Sequence, residues 1–586
     1  MIRRWRIVSQ TAFFLLFLFL LMRTQYSGSD SLRTPVKTLL EIDPLHLLTT
    51  LLATGAVAGL MWLALITLAL TFVFGRFFCG WVCPLGVLVQ LAQKLPVRRR
   101  ADVVASNRWH PSQKIKFYLL AALLAAAVFG LQWSGLLDPL SIYVRSLGLV
   151  VLPGIELAAR QLFEAVYRHD PLGLSAVTEP VFEWLQGRAF AFHQPRFLQA
   201  FPLGLLFIAI LVLGFARHRF WCRTLCPLGA LLGLVARTGL LRIRKSGECR
   251  GCARCTFECQ GAAEPEASSG WRPSECLVCG NCTAVCAQSG LAMGFGRPSL
   301  PRLRPARRQG RVPKRVEGKR VEGERAQGQR GEGERAAGRR MPPRVARDGR
   351  AGEPSGPVGS QLERRHFLLA AVAGVVTVPL LRLTDGAGGR VHPALIRPPG
   401  ALEESEFLAR CVRCGECMKV CLTNGLQPTF LEAGFEGLWT PRLVPRTGYC
   451  EYQCTLCGQV CPTQAIRRLP IEEKRRVRIG LAQIDPGRCL PYAFQKNCIV
   501  CEEHCPLPVK AIWFEEVAVR DHRGESRVVK QPRVDLDLCT GCGICETKCV
   551  VRDLPAIRVT SANEDRNPGN RVLLDALRTP GRNPGS

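Results

Sequence analysis

CRGCARCTFEC (Cys249–Cys259) and CLVCGNCTAVC (Cys276–Cys286) each read C-x2-C-x2-C-x3-C. Three thiolates at that spacing wrap one inorganic cubane, and the fourth reaches over to a second one. The rule assigns Cys249, Cys252, Cys255 and Cys286 to one 4Fe–4S cluster. Cys276, Cys279, Cys282 and Cys259 then hold another. Structural zinc uses four ligands in two pairs, which two complete four-cysteine runs exceed. Gln260 and Ala287 stand where a proline often follows such runs, and every ligand is intact.

Outward from this segment, all 28 cysteines of the 586-residue chain fall in short motifs. A secreted disulfide framework would scatter them. The C-terminal part holds four more groups, Cys411/Cys414/Cys417/Cys421, Cys450/Cys454/Cys457/Cys461, Cys489/Cys498/Cys501/Cys505 and Cys539/Cys542/Cys545/Cys549. Sixteen thiolates suit four clusters. Cross-ligation is expected to pair the first group with the fourth, and the second with the third.

Two further pairs, Cys79/Cys83 and Cys222/Cys226, lie in RFFCGWVCPLG (Arg76–Gly86) and RFWCRTLCPLG (Arg219–Gly229). Each is C-x3-C-P, and positions four apart share a helix face. Two readings stand for these four. They are ligands of a seventh cluster beyond the six, or they are a reactive dithiol or docking surface.

The helical frame follows from hydropathy and charge. Apolar residues are 47% and charged ones 21%, a mixed membrane and soluble profile. Runs at Ile7–Met22, Leu47–Phe74, Ile115–Leu137 and Phe197–Phe215 are read as four spans of a bilayer core of about 30 Å. Lys and Arg number three in residues 1–6, eight in 75–116 and nine in 217–254, against three in 23–46 and five in 138–196. The richer side is cytoplasmic, so the N-terminus and the first cysteine module lie inside. Asp43-Pro44-Leu45 and Asp138-Pro139-Leu140 complete a duplicated hairpin.

Residues 297–360 are a basic linker with five successive Gly-ended pentapeptides from Lys314. The net charge of +31 is spread over this linker and the loops, which excludes a nucleic-acid groove. Glu363-Arg364-Arg365-His366-Phe367-Leu368-Leu369 opens an apolar run to Leu381. The expected domains are 1–245, 246–296, 297–360, 361–385, 400–560 and a tail at 561–586. The fold class is an α-helical membrane domain of four helices, with a short fifth at 361–385, joined to α+β ferredoxin modules. No C-x-x-C-H and no G-x-G-x-x-G on a strand–helix turn occur, which argues against c-type haem and dinucleotide. His46 beside Asp43 has two readings, an interfacial histidine or a quinone contact.

The helices, the C-x3-C-P repeats and the eight-cysteine module over 1–290 resemble NapH, a membrane ferredoxin-type protein; MauN and NosR-like proteins share the motif. The part from 360 onward resembles NapG and MauM, exported polyferredoxins. ERRHFLL resembles a twin-arginine export signal, departing from it at Glu363 and Leu369. The resemblance implies an inner-membrane relay from the quinol pool to a periplasmic reductase or cytochrome, with the C-terminal module periplasmic. Such a chain is a component of an oxidoreductase system rather than a catalyst alone. Two alternatives are a maturation factor using the C-x3-C-P thiols and a redox sensor or assembly scaffold.

Overall fold

The computed structural model describes residues 2–26, 28–32, 36–93, 100–169, 175–185, 190–191, 194–245, 249, 251–266, 271–286, 290–296, 364–383, 392–520 and 524–570. These belong to one compact unit of residues 1–299 and 362–586. The expected linker at 297–360 and the tail beyond 570 lie outside the described residues.

The helical frame comprises α1 (Ile2–Arg23), α2 (Pro44–Thr54), α3 (Ala64–Phe74), α4 (Pro84–Ala92), α5 (Ile115–Val128), α6 (Pro139–Ser146), α7 (Leu152–His169), α8 (Ala200–Ala216), α9 (Pro227–Arg237) and α10 (Arg364–Leu383). Asp43 and Asp138 cap α2 and α6, accepting from the Leu45 and Ser141 N–H groups, with proline at the first turn of each. Such caps fix where the two related helices start.

The expected span Leu47–Phe74 is corrected. It is two helices, because Gly55 takes φ +69° and ends α2. A left-handed glycine satisfies the last turn and turns the chain away, which an unbroken apolar run conceals. The third run also stops early: α5 ends before Gly130, at φ +81°, and a short helix Ser134–Leu137 follows. Two helical stretches are long and apolar enough to cross a membrane, Ile2–Arg23 and Pro139–His169. The second lies in the loop expected outside, and its later half carries Glu156, Arg160, Glu164 and Arg168.

Helix α10 runs beside α5 in the same direction. The His366 ring lies 6.1 Å from that of Tyr118 near the start. Gly374 faces the Ala122 backbone so closely that any Cβ would collide. At the far end Arg382 donates to Phe129 O at 3.1 Å and pairs with Glu436 at 3.2 Å.

Cysteine segments sit at the two ends of this frame. At one end, β1 (Leu241–Lys245) pairs antiparallel with β2 (Leu291–Phe295) and closes the segment of Cys249–Cys286. At the other, residues 392–570 form a module with three antiparallel strand pairs. These are β3 (Leu426–Pro428) with β4 (Pro441–Leu443), β5 (Leu481–Ile484) with β8 (Ile557–Thr560), and β6 (Ile512–Arg520) with β7 (Ser526–Val534).

Candidate metal centres

Each full C-x2-C-x2-C-x3-C group bends sharply around its second cysteine. The residues on both sides of that cysteine take positive φ: Gly251 and Ala253, Val278 and Gly280, Arg413 and Gly415, Gly541 and Gly543. A short helix follows and carries the third cysteine. Left-handed backbone costs little for glycine and more for Ala253, Val278 and Arg413. The turn aims three sulfurs at one point.

In the C-terminal module four cavities are each lined by four cysteines. Cys411, Cys414 and Cys417 share theirs with Cys461. Cys450, Cys454 and Cys457 share theirs with Cys421. Cys539, Cys542 and Cys545 meet Cys505, and Cys489, Cys498 and Cys501 meet Cys549. The groups therefore exchange first with second and third with fourth, which corrects the expected first–fourth and second–third pairing. The reason is connectivity. The last cysteine of each group lies beyond a short helix and turns away from its own three, and the chain folds groups one and two, and groups three and four, side by side.

The cavities adjoin in series. Cys417 lies near Cys457, the Cys450 N–H donates to Cys542 O at 2.8 Å, and Cys545 lies near Cys501. Burial pushes the thiols of Cys454, Cys501 and Cys542 up to about 12, with neighbouring sulfurs adding to the rise. Four such thiols ionise together only around a cationic centre. Peptide N–H groups already point at sulfur: Ile466 donates to Cys461 Sγ and Ala482 to Cys539 Sγ, each at 3.5 Å. The donor set and the apolar walls fit 4Fe–4S cubanes.

In the N-terminal module Cys259 makes the same kind of exchange. Cys259 lies near Cys276 and Cys279, and Cys282 near Cys276, Cys279 and Cys259, as the sequence predicts. Cys249 lies near Cys255 in the other expected set.

The four C-x3-C-P cysteines also meet. Cys83 lies near Cys79 and Cys222, and Cys226 near all three. Each C-x3-C turn is a π-helical turn, Phe78–Val82 and Trp221–Leu225, before the proline that starts the next helix. Two buried arginines cross between the repeats. Arg219 donates to Cys79 O at 3.2 Å and lies against Gly86, while Arg76 lies against Gly229. Arg76 also donates to Ser274 O at 2.8 Å and pairs with Glu275, which Lys116 holds too. Trp81 Nε1 donates to Val278 O at 3.0 Å, and Gly80 packs directly on the Leu277 backbone. The four sulfurs are thus held against the Cys276–Cys282 loop.

The opposite end of the frame meets the other module. Arg145 of α6 donates to Arg413 O at 2.8 Å, and the Val412 backbone presses on Gly135. His46 belongs to neither set of cysteines. It lies buried within hydrogen-bond reach of Ser141, at 2.8 Å, and 3.4 Å from Asp138. These arginines were missed by the motif reading. Arg76 and Arg219 open the two repeats, which was the available signal.

A fold of clustered cysteine cavities and short ferredoxin-type turns defines an iron–sulfur electron-transfer protein. Residues 55–101 and 199–246 match a family model described as a 4Fe-4S binding domain. The chain is 37% identical over 223 residues to the methylamine utilization ferredoxin-type protein MauM of Methylorubrum extorquens, covering 36% of this chain and 96% of that protein. It is 36% identical over 201 residues to the ferredoxin-type protein NapG of Escherichia coli, covering 33% and 84%. It is 30% identical over 235 residues to protein NirI of Paracoccus denitrificans, covering 39% and 27%. The chain belongs to the NapG/MauM family of ferredoxin-type proteins. No solved structure matches it.

Proposed function

We propose that this chain is a NapH-like membrane domain fused to a NapG-like polyferredoxin, and that it relays electrons from quinol to a periplasmic reductase or cytochrome. The observation that carries the reading is the docking of two cysteine modules at opposite ends of one helical frame, with α10 running the length of α5 between them. An apolar helix that begins Arg364-Arg365 at one end and reaches the C-terminal module at the other is what export of that module requires. Loop charges assign the first end to the cytoplasm.

Each cubane, once bound, takes up and releases one electron. The chain's residues do the rest. The 24 cysteines of the two modules hold six clusters, and all but Cys249 and Cys252 are buried or half-buried. Cys79, Cys83, Cys222 and Cys226 hold a seventh. Support comes from their convergence, from the two buried guanidinium groups that offset thiolate charge, and from the family match over both segments. A centre there lies beside the Cys276–Cys282 loop and bridges the first module to the helices.

The test is metal analysis of the purified protein, followed by reduction with hydroquinone in liposomes. About 28 iron atoms per chain are expected for seven clusters and about 24 for six. About eight would end the relay reading. A phosphatase reporter fused after residue 570 is expected to be active in the periplasm, and an inactive reporter would overturn the proposed sidedness.

A further inference from the structure

We propose that the cavity between α7 and the Cys421 loop binds hydroquinone, with Glu156 accepting its protons; this rests on the relay reading above. The cavity is several-fold roomier than any of the four cysteine cavities. Its walls include Tyr26, Leu152, Ile155 and Phe197 from the helical frame, and Cys421 and Asn424 from the C-terminal module. Cys421 belongs to the four-cysteine set of Cys450, Cys454 and Cys457. A ligand in this cavity therefore stands against a proposed cluster without displacing any cysteine.

Three features mark the cavity as built for a ligand. The first is the backbone. Three π-helical turns occur among the described residues: two hold the C-x3-C cysteines, and the third, Leu147–Val151, brings Gly148 to this wall. Such turns concentrate at functional sites. A Cβ at Gly148 would stand 3.1 Å from the Lys419 side chain, so the glycine leaves that lysine its room. The second is the polar set. Glu156 is buried, and Arg160 holds its Oε1 at 2.7 Å, which leaves the Oε2 edge to accept a proton. Asn424 Oδ1 is buried with no hydrogen-bond partner. The third is access. Ile155 lines the cavity and is 58% exposed on a helix whose apolar side also shows Leu162. A lipid-soluble molecule enters there more readily than a charged metabolite.

The step balances. Hydroquinone loses two electrons and two protons and leaves as quinone. The electrons pass one at a time to oxidised 4Fe–4S cubanes in the Cys421 and Cys461 cavities. The protons pass in turn to Glu156 Oε2 and on to water.

The test uses full-length, cluster-loaded protein and the fluorescent hydroquinone mimic 2-heptyl-4-hydroxyquinoline N-oxide, whose quenching reports binding. Ile155→Trp is expected to weaken binding by about tenfold or more, with iron content unchanged. Leu152→Trp is the second variant, in case the first perturbs folding. Glu156→Gln is expected to change affinity little and to slow bleaching of the iron–sulfur absorption by hydroquinone about tenfold. Unchanged affinity in both tryptophan variants, or no binding to the wild type, would overturn the cavity assignment. In either case, hydroquinone reduction of the wild type would leave the relay reading standing. If the wild type binds the mimic but hydroquinone fails to reduce it, both fall.

Discussion

The module of Cys249–Cys286 and the module of Cys411–Cys549 share one cysteine pattern, and in each the last cysteine of a group turns to a neighbouring group, Cys259 in the first and Cys421, Cys461, Cys505 and Cys549 in the second. Their surroundings differ. In the C-terminal module no cysteine is exposed, and much of the protein around them belongs to the module itself: three strand pairs and the ion-paired triad Arg397–Glu404–Arg566, with the helical frame covering only the side of Val412–Cys421. In the N-terminal module Cys249 and Cys252 are exposed, while Cys259, Cys276 and Cys282 are buried. That burial is borrowed from the helical frame through Arg76, Trp81 and Gly80. A small module cannot bury two centres by itself, so the half that faces the frame is shielded and the half that faces away is open. The open half suits exchange with a soluble partner, and the shielded half suits transfer into the frame.

The largest effect that could break this comparison is on the exchange rule. Cys461→Ser should remove about four iron atoms and one cluster signal in electron paramagnetic resonance. Cys421→Ser should remove a different signal, the same one lost in Cys454→Ser. If Cys461→Ser and Cys454→Ser remove the same signal, each group keeps its own fourth cysteine and the exchange is wrong. Next in size, Cys79→Ser should lower iron from about 28 to about 24 atoms per chain while the other clusters persist. An unchanged iron count would return that site to the dithiol reading.

Borrowed burial has its own test. Gly80→Val drives a side chain into the Leu277 backbone, an overpacking that costs ~1–3 kcal/mol. Thermal bleaching should shift for the clusters of the N-terminal module and stay put for those of the C-terminal one. The smallest effect concerns self-sufficiency. Burial would raise the Glu404 carboxyl, but Arg397 and then Arg566 bring it down to about 2. A carboxyl lowered in the folded state stabilises fully above its unfolded value of about 4.3 and loses that contribution as pH falls toward 2. Glu404 is 31% exposed, so Glu404→Gln should cost ~1 kcal/mol at pH 6 after allowance for screening. The difference from wild type should vanish near pH 2, as read by urea melts.

The cysteine spacing made the sites legible: each set that the structure gathers was visible as a motif, including the convergence of the two C-x3-C-P pairs. The order of exchange in the C-terminal module was not. Spacing describes one group at a time and is silent about which group lies nearest. Helix breaks were hidden for a related reason. Gly55 and Gly130 act through φ, and an apolar run carries no mark of it. The buried arginines were in plain view but read as loop charge, because a cation count does not tell an exposed Arg108 from a buried Arg76. The largest cavity described here was beyond reach of the sequence, since residues some 270 positions apart, Glu156 and Asn424, line it together.

The crossed arginines bear on ancestry. Arg76 reaches the glycine that ends the second repeat, and Arg219 the glycine that ends the first. One hairpin alone would offer two sulfurs and an arginine with nothing of its own to close upon. The unit becomes whole only beside a copy of itself, so the site has the logic of a symmetric homodimer written on a single chain. Covalent fusion then lets the halves specialise. At equivalent positions the first repeat has Gly80, which admits the Leu277 backbone, and the second has Arg223, which donates to Ser106 O and Arg108 O. One face of an old two-fold became a socket for a redox module, and the other became a clasp for a loop.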